Sequence, residues 1–201
     1  MIVVIDYGVG NLASIRNMLR KAGANSVISN DPRVISKAEK LLLPGVGHFD
    51  HGMESLNSSG LRDVLDKRVL EYKTPILGIC LGAQILGKSS AEGKEAGLGW
   101  INMHCEKLAV LPPFKVPHMG WNQITPHKQH SILSSLENES RFYFVHTYCM
   151  RCTDEQDVLA SCNYGKNFTC AVQKDNIIGL QFHPEKSLRH GLSVLRSFLE
   201  I

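Results

Sequence analysis

The chain has 201 residues, of which 43% are hydrophobic and 20% are charged, and its formal net charge is +3. A chain of this size can bury one sizeable core, so we expect one domain over residues 1–201. The small net charge gives no reason to expect a nucleic-acid or membrane partner, and no apolar run is long enough to span a bilayer. The opening sequence Met-Ile-Val-Val-Ile-Asp indicates a first strand rather than a targeting signal, so we expect a cytoplasmic protein.

The first half of the sequence alternates short apolar runs with helical patterns. The apolar runs predict strands at Ile2–Ile5, Ser26–Ser29, Leu41–Leu43 and Pro75–Ile79. Between them, the apolar spacing and turn residues predict helices at Asn11–Lys21, in a short segment from Pro32, and at Leu61–Tyr72. This alternation is typical of parallel βαβ units, with helices on both faces of a sheet.

The second half consists of shorter, strand-like segments separated by turn residues. These segments are Met103–Val110, Trp121–Ile124, Arg141–Val145, Val158–Cys162, Phe168–Gln173 and Ile177–Phe182. A final helix is predicted at Ser187–Leu199, with Ser187 as its N-cap. We therefore expect an α/β fold, with a mostly parallel central sheet flanked by helices and additional antiparallel strands in the C-terminal half.

Cys80 lies where the fourth predicted strand ends, in the sequence Gly78-Ile-Cys80-Leu-Gly82. Glycines on both sides allow a sharp turn from a strand into a helix, because they lack the β-carbons that such a turn would crowd. At the start of the following helix, the helix dipole favours the thiolate, which is the reactive form of cysteine. A cysteine that served only core packing would not need flanking glycines, so we predict that Cys80 is a nucleophile.

The other five cysteines are expected to be free thiols, because no secretory signal precedes them. The pair Cys149 and Cys152 forms a lone Cys-x-x-Cys without a second pair at zinc spacing, and we interpret it as two incidental thiols in and after a strand. The remaining three are expected to pack as small core residues: Cys105, Cys162 and Cys170. We expect neither a metal nor a cofactor.

A cysteine nucleophile needs a base, and the base needs a group that orients it. Among nine histidines, His183 stands out because it ends an apolar strand and is followed by Pro184 and Glu185. Proline holds the residue before it in an extended conformation, and residues two apart in an extended chain face the same way. Glu185 is therefore expected to lie beside the His183 ring and to fix its tautomer. The other histidines in loops and polar segments are expected at the surface.

Attack on a carbonyl also needs donors for the developing oxyanion. The segment Gly45-Val46-Gly47 follows the third predicted strand and can present backbone N–H groups beside Cys80. The N–H of Leu81, directly after the nucleophile, is the expected second donor. Without Cys80, the same segment would be interpreted as an ordinary glycine-rich turn.

These motifs resemble the class I (triad) glutamine amidotransferases and, more narrowly, the glutaminase subunits of imidazole glycerol phosphate synthases. The resemblance spans essentially the whole chain. The triad motifs are common to the class, whereas the Met-Gly-Trp-Asn and His-Pro-Glu-Lys-Ser sequences are more specific. Besides the cysteine motif, the matching segments are Asp6–Asn11, Pro44–Gly47, Pro117–Asn122, Phe142–Tyr148 and Gln181–Ser187.

The resemblance implies a single-domain fold of the flavodoxin-like type found in this class. It also implies that Cys80 attacks the side-chain amide of L-glutamine, that His183 passes the proton to the leaving ammonia, and that water then hydrolyses the glutamyl thioester. Gln84 and the Thr147–Tyr148 segment would bind the substrate. As a subunit of this kind, the chain would pass ammonia to a (β/α)8-barrel cyclase in histidine biosynthesis, meeting it through Asn11, Trp121, Tyr143 and Lys186.

Two other interpretations remain open at the level of sequence. Gly8-x-Gly10-x-x-Ala13, with Asp31 some twenty residues later, matches a dinucleotide-binding fingerprint and would predict a nucleotide-binding module. Within the family, Ala83 and the segments Gly97–Ile101 and Tyr148–Cys152 depart from the usual pattern. These departures resemble paralogues from surface-polysaccharide loci, which supply ammonia to a sugar-modifying synthetase.

Overall fold

The computed structural model describes residues 1–134, 136–137 and 139–201. Its strands are β1 Ile2–Ile5, β2 Ser26–Ser29, β3 Lys40–Gly45, β4 Ile76–Cys80, β5 Ser89–Ser90, β6 Met103–Lys107, β7 His118–Gln123, β8 Thr125–Pro126, β9 Arg141–His146, β10 Tyr148–Cys152, β11 Val158–Asn163, β12 Asn167–Lys174 and β13 Ile177–Leu180. Its α-helices are α1 Leu12–Lys21, α2 Pro32–Ile35, α3 Phe49–Ser58, α4 Arg62–Asp66, α5 Leu81–Gln84 and α6 Leu188–Leu199.

The main sheet has the strand order β2-β1-β3-β4-β13-β12-β10-β6-β5, with β11 and β8 branching from β12. The first five strands in this order are mutually parallel: β2, β1, β3, β4 and β13. The pairings of β12 with its neighbours β13, β10 and β11 are antiparallel. Strands β7 and β9 form a separate antiparallel ribbon. Buried apolar clusters cover both faces of the sheet. The expected α/β architecture, parallel in its first part and antiparallel in its second, is thus confirmed.

The predicted helix Leu61–Tyr72 is two segments in the structure. Helix α4 ends at Asp66, and a π-helical turn continues over Lys67–Glu71. Helix α3 is not among the sequence predictions, although its buried residues Phe49, Gly52, Met53 and Leu56 have helical spacing. The pattern was hidden because Gly52 takes one of these buried positions in place of an apolar side chain. Glycine allows close packing there, since a β-carbon on it would lie 2.9 Å from the Leu81 side chain.

The second half also corrects several predicted limits. Strand β7 begins at His118 rather than Trp121, and β6 ends at Lys107 rather than Val110. Cys149 lies in strand β10 as expected, but the bounds of this strand were not predicted, because only Thr147 separates it from β9; Cys152 lies within the strand and not after it. Ser187 precedes α6 as expected, but its hydroxyl does not cap the helix and instead donates to the His183 carbonyl oxygen at 2.6 Å.

In the part of the chain that the structure describes, no helix is long and apolar enough to cross a membrane.

Candidate active site

Cys80 is the last residue of β4 and directly precedes α5. Its backbone has φ 55° and ψ −113°, which is a strained conformation for a residue with a side chain. The glycines on either side make the turn possible, since a β-carbon on Gly78 would lie 2.6 Å from the Gly82 carbonyl oxygen. A β-carbon on Gly82 would overlap the carbonyl oxygen of Leu43 in β3. The predicted strand-to-helix turn is therefore present, and it is packed against the neighbouring strand.

The sheet topology places Cys80 between two other strand ends. In the parallel pairings of β4, Gly45 of β3 lies opposite Cys80, and Leu180 of β13 lies opposite Ile79. The segments that continue from β3 and β13 therefore flank the thiol at the carboxyl edge of the sheet. In open α/β sheets, this edge is where ligands bind.

His183 and Glu185 reach this edge in the segment that follows β13. His183 Nδ1 lies 2.7 Å from Glu185 Oε1, and both side chains are only 2% exposed. The turn Pro184–Lys186 brings the carboxylate back beside the ring, while the His183 backbone N–H donates to the Tyr143 carbonyl oxygen at 2.9 Å. Among the described residues, His183 Nε2 is buried without a hydrogen-bond partner. It is the nitrogen left available for proton transfer.

The charge state of His183 follows from these neighbours. Burial alone would lower the pKa of the imidazole, because it disfavours the charged form. The interactions with Cys80 and Glu185 outweigh burial and raise the pKa of His183 to about 9. An imidazolium is therefore favoured next to the thiol at neutral pH, as an acid that protonates a leaving amine requires.

A pocket of about 470 Å³ opens over Cys80 and His183. Its volume is within the usual range for small-molecule sites. Most of the predicted site residues line it, together with four that were not predicted; the lining is Val46, Gly47, Cys80, Leu81, Gln84, Glu92, Pro117, Val145, His146, Thr147, Tyr148, His183 and Lys186. Glu185 is absent from the lining because it lies behind the His183 ring.

The segment predicted to bind the oxyanion divides into two parts. Gly45 belongs to β3 and packs against α5, where a β-carbon would lie 2.7 Å from the Gly82 nitrogen. Val46 and Gly47 line the pocket, and Gly47 has φ +99°, a conformation that favours glycine. Tyr7, which was not predicted, holds the end of β3 by donating from its buried hydroxyl to the Pro44 carbonyl oxygen at 2.7 Å.

Gln84 is buried at 5% exposure, and its side chain is held by hydrogen bonds to two residues next to the pocket. Its Nε2 donates to the Tyr148 carbonyl oxygen and to Gln181 Oε1, both at 3.0 Å. Gln181 itself is fully buried, and its Nε2 lies 3.8 Å from Cys80 Sγ. Sequence reasoning missed Gln181. Its position two residues before His183, facing the same way in extended chain, was the available signal.

Two buried histidines lie at the same wall, and one of them, His146, lines the pocket. His118 Nδ1 lies 3.1 Å from His146 Nε2, and His146 Nδ1 lies 2.9 Å from the Tyr148 carbonyl oxygen. Burial lowers the pKa of His118 to about 4 and that of His146 to about 3, so both rings are neutral at pH 7. Because the Tyr148 oxygen can only accept, His146 carries its proton on Nδ1, and His118 donates to His146 Nε2.

Three of the predicted contact residues lie together beside the pocket, and the fourth caps a helix. Trp121 and Tyr143 meet edge to face across the β7–β9 ribbon, with ring centroids 5.9 Å apart. Lys186 Nζ lies 5.5 Å from the Tyr143 ring centroid, and Lys186 also lines the pocket. Asn11 is the N-cap of α1 and accepts from the Ser14 N–H at 3.3 Å, so its side chain already has a structural role.

The nucleotide-binding alternative finds little support in the geometry of its motif. Asp31, the residue expected to hold a ribose, instead caps α2 and pairs with Arg33 at 2.9 Å. A β-carbon on Gly10 would lie 3.3 Å from Pro44 Cβ, so the glycine loop packs against the end of β3. Gly10 thus serves close packing, whereas Gly8 has φ +90° and open space at its β-carbon position.

Comparisons with known proteins agree with the chemistry of this pocket. Residues 3–201 match the family model described as glutamine amidotransferase class-I. Curated relatives include imidazole glycerol phosphate synthase subunit HisH 2 of Pseudomonas aeruginosa, 53% identical over 100% of both chains. The HisH 2 protein of Methanococcus maripaludis is 50% identical over 100% of this chain and 99% of its own. Subunit HisH of Leptospira interrogans is 44% identical over 100% of both.

Solved structures share the fold at much lower identity. A glutamine amidotransferase from Thermotoga maritima has a TM-score of 0.69 at 16% identity, covering 99% of this chain and 96% of its own. PurLQS from the same organism has a TM-score of 0.75 at 19% identity, with coverage of 99% and 97%. With a family model matched over nearly its whole length and curated relatives at up to 53% identity, the chain belongs to the class I glutamine amidotransferases.

Proposed function

We propose that this chain is the glutaminase subunit of an imidazole glycerol phosphate synthase. In that role it hydrolyses glutamine and delivers the ammonia to a (β/α)8-barrel cyclase subunit in histidine biosynthesis. The observation that carries the catalytic part is the arrangement of Cys80, His183 and Glu185 around one pocket, with His183 Nε2 buried and unpaired among the described residues. The full-length relatives named as HisH subunits support the choice of pathway.

The reaction begins with the thiolate of Cys80 attacking the Cδ carbon of the glutamine side chain. The carbonyl electrons move onto oxygen, and the N–H groups of Val46, Gly47 and Leu81 are proposed to stabilise the oxyanion. His183 then gives its Nε2 proton to the amide nitrogen as the C–N bond breaks, releasing ammonia and leaving a glutamyl thioester. Water, deprotonated by His183, then attacks the thioester carbon; the C–S bond breaks, glutamate is released, and the Cys80 thiolate and protonated His183 are restored.

The pocket suits a free amino acid, because it carries groups for both ends of one. Glu92 places a carboxylate in the wall, which favours the ammonium group of free glutamine. Gln84, Thr147 and Tyr148 line another part of the same pocket. We propose these residues as the substrate-binding set.

Ammonia must pass directly to an acceptor, because in neutral water most of it is protonated and unreactive. The surface beside the pocket mouth supports docking of an acceptor subunit. Trp121 is 44% exposed, and Met119, on the same face of β7, is 61% exposed. With Tyr143 and Lys186 they form an exposed apolar and cationic group at the mouth. Aromatic side chains that become buried on binding commonly anchor interfaces. Asn11 is proposed as a peripheral contact, since α1 packs near the Pro184–Lys186 turn.

The test is glutamate release from glutamine by the chain alone and with the barrel cyclase plus its ribotide ligand. We expect strong stimulation by the complete pair, and loss of stimulation in Trp121→Ala. Tyr72→Ala provides the matched control, because Tyr72 is an aromatic residue of 60% exposure that precedes β4 and so lies at the opposite edge of the sheet. No glutamate release under any condition would contradict the glutaminase role of the site.

Two observations favour a second acceptor. Two of the three curated relatives reported above carry the number 2 in their names, and the chain departs from the usual pattern at Ala83 and in Gly97–Ile101. In the structure both departures serve packing: Ala83 is fully buried, and Trp100 donates to Asp66 at 2.6 Å. The chemistry of the pocket would be unchanged if the acceptor were a sugar-modifying synthetase. Glutaminase activity that the barrel cyclase does not stimulate would favour this alternative.

We also propose that the chain works in the cytoplasm. All six cysteines are free thiols, as is usual in a reducing compartment.

A further inference from the structure

Gln181 is a fully buried polar side chain that the triad does not account for. It follows β13 and holds its own backbone by donating from its N–H to the Cys170 carbonyl oxygen at 2.8 Å. In the pairing of β13 with β4, Leu180 lies opposite Ile79, so the next step in register places Gln181 beside Cys80. The side chain accordingly spans the space between the thiol and Gln84.

The direction of each hydrogen bond around Gln181 follows from a single acceptor. The Tyr148 carbonyl oxygen can only accept, and it receives bonds from His146 Nδ1 at 2.9 Å and Gln84 Nε2 at 3.0 Å. Gln84 therefore turns its NH2 group toward Tyr148, and the same group reaches Gln181 at 3.0 Å. Gln181 must present its oxygen to Gln84, which leaves its own NH2 group facing Cys80 Sγ at 3.8 Å.

We propose that Gln181 is a further catalytic residue of this site, whose side-chain Nε2 donates a hydrogen bond to Cys80 Sγ and stabilises the attacking thiolate. The inference rests on the proposed role of Cys80 as nucleophile, but it does not depend on which protein accepts the ammonia. A donor next to a buried anion favours the charged form, and hydrogen bonds to charged groups are the stronger ones. The bond acts when the thiolate attacks and again when it leaves as the thioester is hydrolysed.

Two variants separate the two contacts of Gln181. Gln181→Glu keeps an oxygen that accepts from Gln84 but loses the donor to Cys80 and places a carboxylate near it. Gln181→Met keeps a side chain of similar length and loses both contacts. Gln173→Met is the matched control, because Gln173 lies on the adjacent strand β12 and donates only to the Asp175 carbonyl oxygen among the bonds described.

The measurement is the rate of Cys80 alkylation by iodoacetamide, followed by mass spectrometry of the peptide that contains Cys80. At pH 7 we expect both Gln181 variants to react about tenfold more slowly than the unmodified chain, since a thiolate lacking its donor is less populated. Gln173→Met should react within about twofold of the unmodified chain. In glutamate release, kcat should fall in parallel while KM stays within about twofold.

Folding of each variant is checked by circular dichroism and thermal unfolding, and Gln181→Asn replaces any variant that does not fold. A folded Gln181 variant that alkylates at the rate of the unmodified chain at pH 7 would overturn the inference, whatever its activity. Because alkylation needs neither glutamine nor a partner, the result is independent of the acceptor assignment. If the Gln181 variants alkylate more slowly as expected but the unmodified chain has no glutaminase activity, the proposed function is contradicted instead.

Discussion

His183 donates from Nδ1 to Glu185 Oε1 over 2.7 Å, and neither side chain is more than 2% exposed. The bond fixes the tautomer, so that Nε2 faces the pocket, and it helps to raise the pKa of His183 to about 9. The two residues are only two positions apart, yet the contact depends on the turn Pro184–Lys186 that folds the carboxylate back.

Glu185→Gln should lower kcat about 10²-fold with little change in KM, because the imidazole loses its charged orienting partner. The pKa of His183 would fall, so the loss of activity at alkaline pH should begin at a lower pH than in the unmodified chain. Rate profiles of glutamate release from pH 6 to 10 test both points. Glu54→Gln, at an exposed position on α3, is the control. An unchanged alkaline limb in Glu185→Gln would contradict the assigned role.

Cys80→Ser should reduce glutamate release by about 10³-fold or more, because the hydroxyl is a far weaker nucleophile in this setting. The fold and partner binding should be retained, since serine preserves the shape of the residue. Cys152→Ser, at a half-buried thiol of β10 that does not line the pocket, should keep full activity. If Cys80→Ser retained a tenth of the normal rate, the nucleophile would have to be another residue.

The neutral histidine pair should make the protein sensitive to acid. The folded-state pKa values of His118 and His146 lie below the ordinary value of 6.5, at about 4 and about 3. The unfolded chain therefore binds protons first as the pH falls, and stability present above pH 6.5 is lost below it. At pH 5 the loss should reach up to about 2 kcal/mol for each histidine. His183 is shifted the other way: its contribution is fully present below pH 6.5, so it causes no loss of stability as the pH falls.

Urea denaturation at pH 7 and pH 5 measures this effect. Replacement of both histidines by Asn should lower stability at pH 7 but flatten the change between the two pH values. An equally steep change in the double variant would show that other groups cause the acid sensitivity.

Gly82→Ala should destabilise the fold by at least about 3 kcal/mol, because the new methyl group would overlap the Leu43 carbonyl oxygen in a backbone that has no room to move. Gly60→Ala is the control, because it measures the cost of a strained backbone conformation without a steric clash. Gly60 has φ +69° and open space around its β-carbon position, so the substitution should cost only about 1 kcal/mol. Thermal and chemical unfolding of the two variants give the comparison, and equal losses would contradict the packing argument.

The strand-to-helix turn at Cys80 and the His183–Glu185 pair were predictable because each depends on residues adjacent in sequence. Glycines at positions 78 and 82 indicate a sharp backbone turn, and Pro184 indicates an extended conformation at His183. Helix α3 was missed because Gly52 occupies a core position where an apolar side chain would normally reveal the period. The bounds of strand β10 were missed because a single residue, Thr147, separates it from β9.

By itself, the sequence determined the α/β alternation, the strand-to-helix turn at Cys80 and the pairing of His183 with Glu185, because apolar spacing and glycine placement act over a few residues. Only the tertiary structure decided which side chains surround Cys80. Gln181 meets Cys80 through the register of β13 on β4, and His118 meets His146 through the pairing of β7 with β9. Such contacts join residues 28 to 101 positions apart. A local pattern can place Gln181 on the same side of the chain as His183, but it does not identify the distant partner, since hydrogen bonds between distant polar side chains form only after the strands have paired.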